Sequence, residues 1–196
     1  MGAGVDGVLL AAGCSRRAGV FKMTAPVGGQ PLLLWGVAAL GTVCDRVIVV
    51  AGAGADKVRS LMAGRPEVEV VVNEDFASGM LSSVQAGARS VRAPRFFLLP
   101  GDMPLVGAAV FRKMLEREAE IVVPACQGRR GHPVLMSSRL VAAILAEPRD
   151  SSLGRFIRRQ GSQIVETRDP GVLSDLDDGE DMKRIDALLR VGSDHE

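Results

Sequence analysis

Charge of one sign is what this chain most plainly lacks: 24 Lys and Arg stand against 23 Asp and Glu over 196 residues, a formal net charge of +1. Without a global field there is no signature of a nucleic-acid or anionic-membrane binder, and any anion must be recognised locally. No apolar run approaches the roughly 20 residues that a bilayer span requires. The first residues, Met1-Gly2-Ala3-Gly4-Val5-Asp6, place no basic region before their apolar stretch, and Val8 to Ala12 is too short for a signal-peptide core. A cytoplasmic protein, with neither nucleic acid nor membrane as partner, is expected. Cysteine is scarce as well: Cys14, Cys44 and Cys126 are odd in number, widely spaced and in no Cys-x-x-Cys or Cys/His pattern. That argues against a disulfide framework or a structural zinc and for small buried hydrophobes in a reducing compartment. No Pro/Gly/Ser-rich linker, internal repeat or low-complexity tract divides the chain, so one domain over residues 1–196 is expected.

What is present is a rhythm. Short apolar, β-branched runs alternate with segments of helical spacing: Gly7-Val8-Leu9-Leu10, then Leu32 to Leu40, then Arg46-Val47-Ile48-Val49-Val50. The alternation continues through a helical Asp56 to Met62, a strand at Val68 to Val72, a helix from about Ser82 to Ser90 and a strand at Arg95 to Leu99. Uniformly apolar strands suit a sheet covered on both faces. The expected fold is therefore α/β: three layers, with a doubly wound, mostly parallel sheet of the Rossmann-like type. Beyond Asp102 the rhythm loosens into a helix near Ala108 to Glu118 and a strand at Glu120 to Val123. A Gly-rich turn at Gln127 to Gly131, a strand at Pro133 to Met136 and a helix around Ser138 to Ala146 follow. The last third predicts a basic helix near Leu153 to Gln160, a short strand at Gln163 to Glu166 and an amphipathic helix from Gly179 to Leu189.

Neither G-x-x-x-x-G-K-[ST] nor G-x-G-x-x-G occurs, so a P-loop ATPase and a dinucleotide-dependent dehydrogenase gain no support. The first strand instead runs into Leu10-Ala11-Ala12-Gly13-Cys14-Ser15-Arg16-Arg17-Ala18-Gly19-Val20-Phe21-Lys22. Small residues let backbone approach a ligand, turn N–H groups attract phosphate oxygens, and Arg16 and Lys22 can grip a polyphosphate as fork and point charge. The plain alternative is a solvated strand-to-helix loop.

This segment resembles the signature L-A-[AG]-G-x-S-x-R-x-G-x-x-K of nucleotidyltransferases that build nucleotide-linked cofactors and sugars. The chain is most similar to the molybdenum cofactor cytidylyltransferases, the MobA-like group. The resemblance extends over nearly the whole chain through four more segments. Val72-Asn73-Glu74-Asp75-Phe76-Ala77-Ser78-Gly79-Met80-Leu81-Ser82-Ser83 is similar to a stretch that frames base and ribose. By its residues it is a strand end, an Asx-type turn and a helix start, with Ser82 and Ser83 either ligand contacts or caps. Leu98-Leu99-Pro100-Gly101-Asp102 sets a carboxylate at the carboxyl end of an apolar strand, where open α/β sheets bind ligands. The family's metal aspartate maps onto Asp102. Gly128-Arg129-Arg130-Gly131-His132-Pro133-Val134 is similar to the acceptor-side G-x-x-G-H-P-V, with a basic hairpin tip and a structural histidine as the plain alternative. Leu173-Ser174-Asp175-Leu176-Asp177-Asp178-Gly179-Glu180-Asp181 resembles D-[IL]-D-T-P-E-D, with Asp178-Gly179 where Thr-Pro is usual.

The resemblance implies a nucleotide-binding half, about 1–106, an acceptor-binding half, about 107–196, and transfer of CMP from CTP to molybdopterin cofactor with release of pyrophosphate. Lys22, Asp102 and Arg16 would be catalytic; Leu10, Ala11, Ala12, Gly13, Ser15, Asn73, Gly79, Ser82 and Ser83 would hold the nucleotide. Arg130 and His132 would meet the acceptor. The cofactor would be Mg²⁺, held by Asp102 and by Asp177 or Asp175. Family members with Ala-Ala-Gly in the first loop tend to use cytidine, and a methyl group at Ala12 would crowd a purine. Three other readings stay open: transfer to a sugar phosphate or another phosphorylated acceptor, a carrier that delivers the cofactor to a molybdenum hydroxylase apo-enzyme, and an oxidoreductase on the same scaffold. No flavin or nicotinamide signature supports the last. Arg155, Arg158 and Arg159 are either acceptor ligands or a solvated helix face.

Overall fold

The computed structural model describes residues 4–13, 21–176 and Ile185. Strand β1 (Val5–Ala11) is followed, after the first loop, by a small hairpin of β2 (Pro26–Val27) and β3 (Gln30–Pro31) and by helix α1 (Leu32–Gly41). Next come β4 (Arg46–Ala51), α2 (Ala55–Met62), β5 (Val68–Val72), α3 (Met80–Ala88), β6 (Arg95–Pro100) and α4 (Ala108–Leu115). The chain then forms β7 (Ile121–Cys126), β8 (Arg129–Arg130), β9 (Val134–Ser137), α5 (Val141–Leu145), α6 (Leu153–Gln160) and β10 (Gln163–Thr167). The large sheet runs β5-β4-β1-β6-β9-β7-β10, with β8 on β7. Its pairings are parallel except where β9 meets β6 and β7 and β8 meets β7.

Both faces of the sheet are apolar, which is why the central strands read as unbroken hydrophobic runs. In β1, Val5, Leu9 and Ala11 face one core with α1, α2 and α4, while Val8 and Leu10, with Ala12 just beyond the strand, face a second core with α3, α5 and α6. The expected three layers are thus in place. Glycine lets one helix on each side press close to β1. A Cβ on Gly36 of α1 would stand 2.7 Å from Leu9 Cδ1, and one on Gly87 of α3 would overlap Val8 Cγ1. Full burial of a side chain such as Leu9, Phe96 or Phe97 contributes roughly 1.5–3 kcal/mol each.

At the amino ends of the strands a polar cluster replaces apolar packing. Asp6, 4% exposed, accepts hydrogen bonds from Arg46 Nη2 at 3.0 Å and from the N–H groups of Arg92 at 2.7 Å and Ala93 at 3.0 Å. Arg46 also reaches Glu69 at 2.6 Å and the Ser90 carbonyl at 2.6 Å, which ties β1, β4 and β5 to the end of α3. Burial pushes the Asp6 carboxyl up, but the Arg46 and backbone hydrogen bonds outweigh it and hold the group below its ordinary range.

Helix α4 ends at Leu115 rather than near Glu118, and two other boundaries differ from the periodicity in an informative way. Helix α3 begins at Met80 rather than near Ser82, because Gly79, at φ 105°, makes the turn that only glycine takes readily. The segment 138–146 divides into a 3₁₀ turn at Ser138–Leu140 and the short α5. The helix expected at Gly179 to Leu189 lies outside the described residues, Ile185 apart. Ile185 is buried with Val27, Leu32 and Leu176. Among the described residues, no helix is long and apolar enough to cross a membrane.

Candidate functional site

The chain steps outward from β1 to β4 and β5 and then returns to place β6 on the other side of β1. At such a reversal the loops leaving neighbouring strands diverge and open a crevice at their carboxyl ends. Three strand exits meet here. Gly101 N–H donates to the Leu10 carbonyl at 2.9 Å, which draws the Asp102 turn against the first loop. A Cβ on Gly52, just past β4, would stand 2.7 Å from the Ala12 carbonyl, so that glycine lets the first loop settle onto its neighbour.

The crevice encloses a cavity of about 400 Å³ lined by Leu10, Ala12, Gly13, Met23, Phe76, Ala77, Gly79, Met80, Ser83, Pro100 and Asp102. Lys22 Nζ donates to Asp102 Oδ2 at 3.2 Å, with side chains 19% and 26% exposed respectively, so neither is a freely solvated loop residue. Leu10, Ala12 and Gly13 reach the cavity. Ala11 points into the opposite core, leaving only its backbone for a ligand. Ser15, Arg16 and Asp177 lie outside the described residues.

Asn73 organises the far wall rather than lining it. Its amide donates to Ser82 Oγ at 2.8 Å and Ser83 Oγ at 3.0 Å, and its Oδ1 accepts from the Asp75 N–H at 3.1 Å, the Asx turn expected from the sequence. Ser82 Oγ, with one proton to give, lies between the carbonyls of Gly79 and Asp75 at 2.8 and 3.0 Å. Ser82 therefore braces the turn, whereas Ser83 faces the cavity. Neither caps α3, whose N-cap is Gly79.

A second cavity, about 690 Å³, adjoins the first and shares Gly79 and Met80 with it. Arg130, Gly131 and His132 form one side, and Ser151 to Gly154, Ile157 and Arg158 of α6 and its approach form another. The first turn of α3 is thus the partition between two compartments. Burial pushes the His132 imidazole down from its ordinary value; the carboxylates of Asp102 and Asp175 and a hydrogen bond to the Leu98 carbonyl oppose that. Its Nδ1 is buried and finds no hydrogen-bond partner among the described residues. A neutral ring whose other nitrogen is bound to a carbonyl offers Nδ1 as an acceptor.

At Leu176 the chain returns to the same place: the Leu176 N–H donates to the Asp102 carbonyl at 3.0 Å. No group of three or more His, Cys, Asp or Glu able to hold a metal occurs among the described residues. One carboxylate at a strand end, balanced by an ammonium, instead suits a hard divalent ion that keeps waters and substrate phosphates in its shell. The donor chemistry fits Mg²⁺ or Mn²⁺ accompanying a triphosphate.

The periodicity alone did not single out Phe76, Ala77, Met80 and Met23 of the first cavity, or Ser151, Ser152, Leu153 and Ile157 of the second. Only the proximity of Phe76, Ala77 and Met80 to Gly79 hinted at the first group.

An acidic residue and a lysine at the switch point of such a sheet, beside a second compartment, suit the handling of a metal-bound phosphate next to a second ligand. The chain belongs to the MobA-like NTP transferase domain family, which it matches over residues 7–164. It is 28% identical to the molybdenum cofactor cytidylyltransferase of Escherichia coli K12 over 178 residues, 90% of this chain and 93% of that one. It is 30% identical to the nicotine blue oxidoreductase of Paenarthrobacter nicotinovorans over 199 aligned residues, 95% of this chain and 96% of that one. Among solved structures, Rv0371c of Mycobacterium tuberculosis H37Rv in complex with manganese superimposes with a TM-score of 0.79 at 26% identity, covering 93% of this chain and 97% of that one. Family and fold together make the protein an enzyme.

Proposed function

We propose that the enzyme transfers CMP from CTP to the phosphate of molybdopterin cofactor, with Mg²⁺ as the metal and pyrophosphate as the leaving group, in the cytoplasm. The observation that carries this is the pair of adjoining cavities partitioned by Gly79 and Met80, with Asp102, paired to Lys22, lining the first and Arg130 and His132 lining the second. The likeness to the Escherichia coli cytidylyltransferase over nearly the full length of both chains supports the choice of substrates.

In this reading residues 1–106 form the nucleotide half and 107–196 the acceptor half of one domain. The backbone of Leu10, Ala11, Ala12 and Gly13, with Ser15, cradles the triphosphate. Gly79 and Ser83 meet the nucleoside, on a turn that Asn73 and Ser82 hold in shape. Asp102 and Asp177 hold the metal, and Asp175 is the other candidate for the second position. When bound, Mg²⁺ draws charge from the phosphate oxygens. Lys22 leaves Asp102 for the phosphates and, with Arg16 or with Arg17 at the signature's arginine position, offsets the charge that grows on pyrophosphate. An acceptor phosphate oxygen attacks the α-phosphorus; the new P–O bond forms as the bond to the bridging oxygen of the β-phosphate breaks. A phosphate monoester is already nucleophilic, so no protein base is required. Arg130 and His132 orient the acceptor, His132 through the lone pair on Nδ1. A client molybdenum hydroxylase apo-enzyme would take the product.

The test is pyrophosphate release by the purified protein with Mg²⁺ and molybdopterin cofactor, with CTP, GTP and ATP compared side by side. Turnover restricted to CTP is the expected result. Triphosphate binding without turnover would sink the acceptor assignment and point to another phosphorylated acceptor or to a carrier. The likeness to nicotine blue oxidoreductase favours a second reading, an oxidoreductase on the same scaffold, which predicts no pyrophosphate with any triphosphate.

A further inference from the structure

Helix α6 carries three arginines, and the structure uses them differently. Arg155 Nη1 donates to the Asp150 carbonyl at 3.1 Å. Arg159 pairs with Glu147, and its guanidinium lies 5.7 Å from the centre of the Phe156 ring. Arg158 turns into the second cavity, which it lines together with Arg130. No described residue forms an ion pair or hydrogen bond with either guanidinium.

Three features make this end of the cavity a place for an anion. Its described lining holds two arginines and no carboxylate, against walls that include Val123, Val134 and Ile157. The Arg158 guanidinium folds back along its own helix, since a Cβ on Gly154 would stand 3.7 Å from Nη1. Glycine costs a helix about 1 kcal/mol relative to alanine, yet here it leaves the first turn of α6 bare beside the guanidinium. Ser152 Oγ already accepts the Arg155 N–H and the Ser152 carbonyl the Phe156 N–H, whereas no described residue accepts those of Leu153 and Gly154 on that bare turn. A guanidinium fork beside free backbone donors is a strong arrangement for an oxyanion.

The anion held here is not the phosphate that reacts, because Asp102 lines the other cavity and holds Lys22 there. We propose that Arg158, with Arg130, grips a second anionic group of the acceptor, an oxyanion remote from the attacking phosphate, while the apolar walls hold the body between them. This rests on the reading of the second cavity as the acceptor site. The acceptor is then an elongated molecule, anionic at both ends, and Arg158 selects for it.

The experiment compares wild type, Arg158→Gln, Arg158→Lys and Arg155→Gln, the last removing an equal charge from the same helix. In steady state with CTP, Mg²⁺ and molybdopterin cofactor, Arg158→Gln raises the acceptor KM by about 10- to 100-fold, the size expected for one or two charge-assisted hydrogen bonds. Its kcat and its KM for CTP stay within about twofold. Arg158→Lys recovers part of the loss and Arg155→Gln behaves as wild type. A parallel fall in kcat would assign Arg158 to the reacting phosphate and overturn the proposal, as would an unchanged acceptor KM or an equal effect from Arg155→Gln. In a second arm, molybdate is titrated calorimetrically into CTP-saturated protein, and Arg158→Gln is expected to weaken its binding about tenfold. Equal molybdate binding by wild type and variant, or none by wild type, overturns the clamp. If no CMP transfer is seen in wild type, the acceptor assignment fails and the molybdate arm alone decides on Arg158.

Discussion

Lys22 Nζ stands 3.2 Å from Asp102 Oδ2, so the cation and the carboxylate assigned to opposite partners in the reaction are paired with each other in the free protein. The two are 80 residues apart in sequence and meet because β1 and β6 are neighbours in the sheet. The ammonium occupies an oxygen that a divalent ion would need. In the proposed mechanism nucleotide binding would exchange one pairing for two, with Lys22 moving to phosphate and Asp102 to metal.

That exchange gives the first prediction. Removal of the competing charge in Lys22→Met tightens Mn²⁺ binding to the nucleotide-free protein severalfold, measured by electron paramagnetic resonance of free Mn²⁺, while nucleotidyl transfer falls by about 10²- to 10³-fold, as for loss of other charge-stabilising donors. Asp102→Asn loses both metal binding and transfer yet remains folded. Full transfer by purified Asp102→Asn would remove the metal assignment.

The base preference rests on a small volume. Ala12 lines the first cavity and is 5% exposed, so in the proposed reading its methyl group is the one that would crowd a purine. Ala12→Gly is expected to raise the efficiency with GTP relative to CTP, by about tenfold at most, since one methylene-sized difference is worth about 1–3 kcal/mol. An unchanged CTP to GTP ratio would show that other atoms choose the base.

At the opposite end of the sheet the Asp6 and Arg46 pair governs acid stability. Asp6 titrates below its ordinary 3.8 in the folded protein, so its contribution is complete above that pH and is lost as the pH falls through the lower folded value. Arg46→Met strands a carboxylate that is 4% exposed and should cost roughly 3–5 kcal/mol near neutral pH, towards the lower figure because the N–H groups of Arg92 and Ala93 remain. Urea unfolding at pH 7 and at pH 3 measures both effects; the gap between wild type and variant should narrow at the lower pH. A constant gap would locate the stabilisation elsewhere.

Packing against β1 couples stability to the site. A Cβ at Gly87 would overlap Val8 and stand 2.9 Å from Val50, both in strands of the central sheet. Gly87→Ala should therefore push α3 outward and destabilise the protein by about 1–3 kcal/mol, despite alanine's better helix propensity. Because the first turn of α3 partitions the two cavities, CTP affinity should fall with it. Thermal unfolding and CTP titration of the same sample test the pair; a gain in melting temperature would contradict the close packing.

Much of this was legible from residue order. Apolar runs at Val8 to Leu10, Val47 to Val50 and Phe96 to Leu99 determine buried parallel strands, because a strand covered on both faces has no polar side to display. The segment from Leu10 to Lys22 and the turn at Gly101-Asp102 carry local chemistry, and the α/β class with its nucleotidyltransferase family follows from both. Partnership was decided only by the tertiary structure. Lys22 reaches Asp102, Leu176 reaches Asp102, and Asn73 spends its amide on Ser82 and Ser83 through contacts between segments that no spacing rule relates. The same holds on α6. One helix face carries three arginines in sequence, but which of them meets a carboxylate, a backbone carbonyl or an open cavity depends on what the rest of the chain packs beside it. Local order sets which groups are available; long-range packing alone sets which of them are already satisfied and which remain to bind something else.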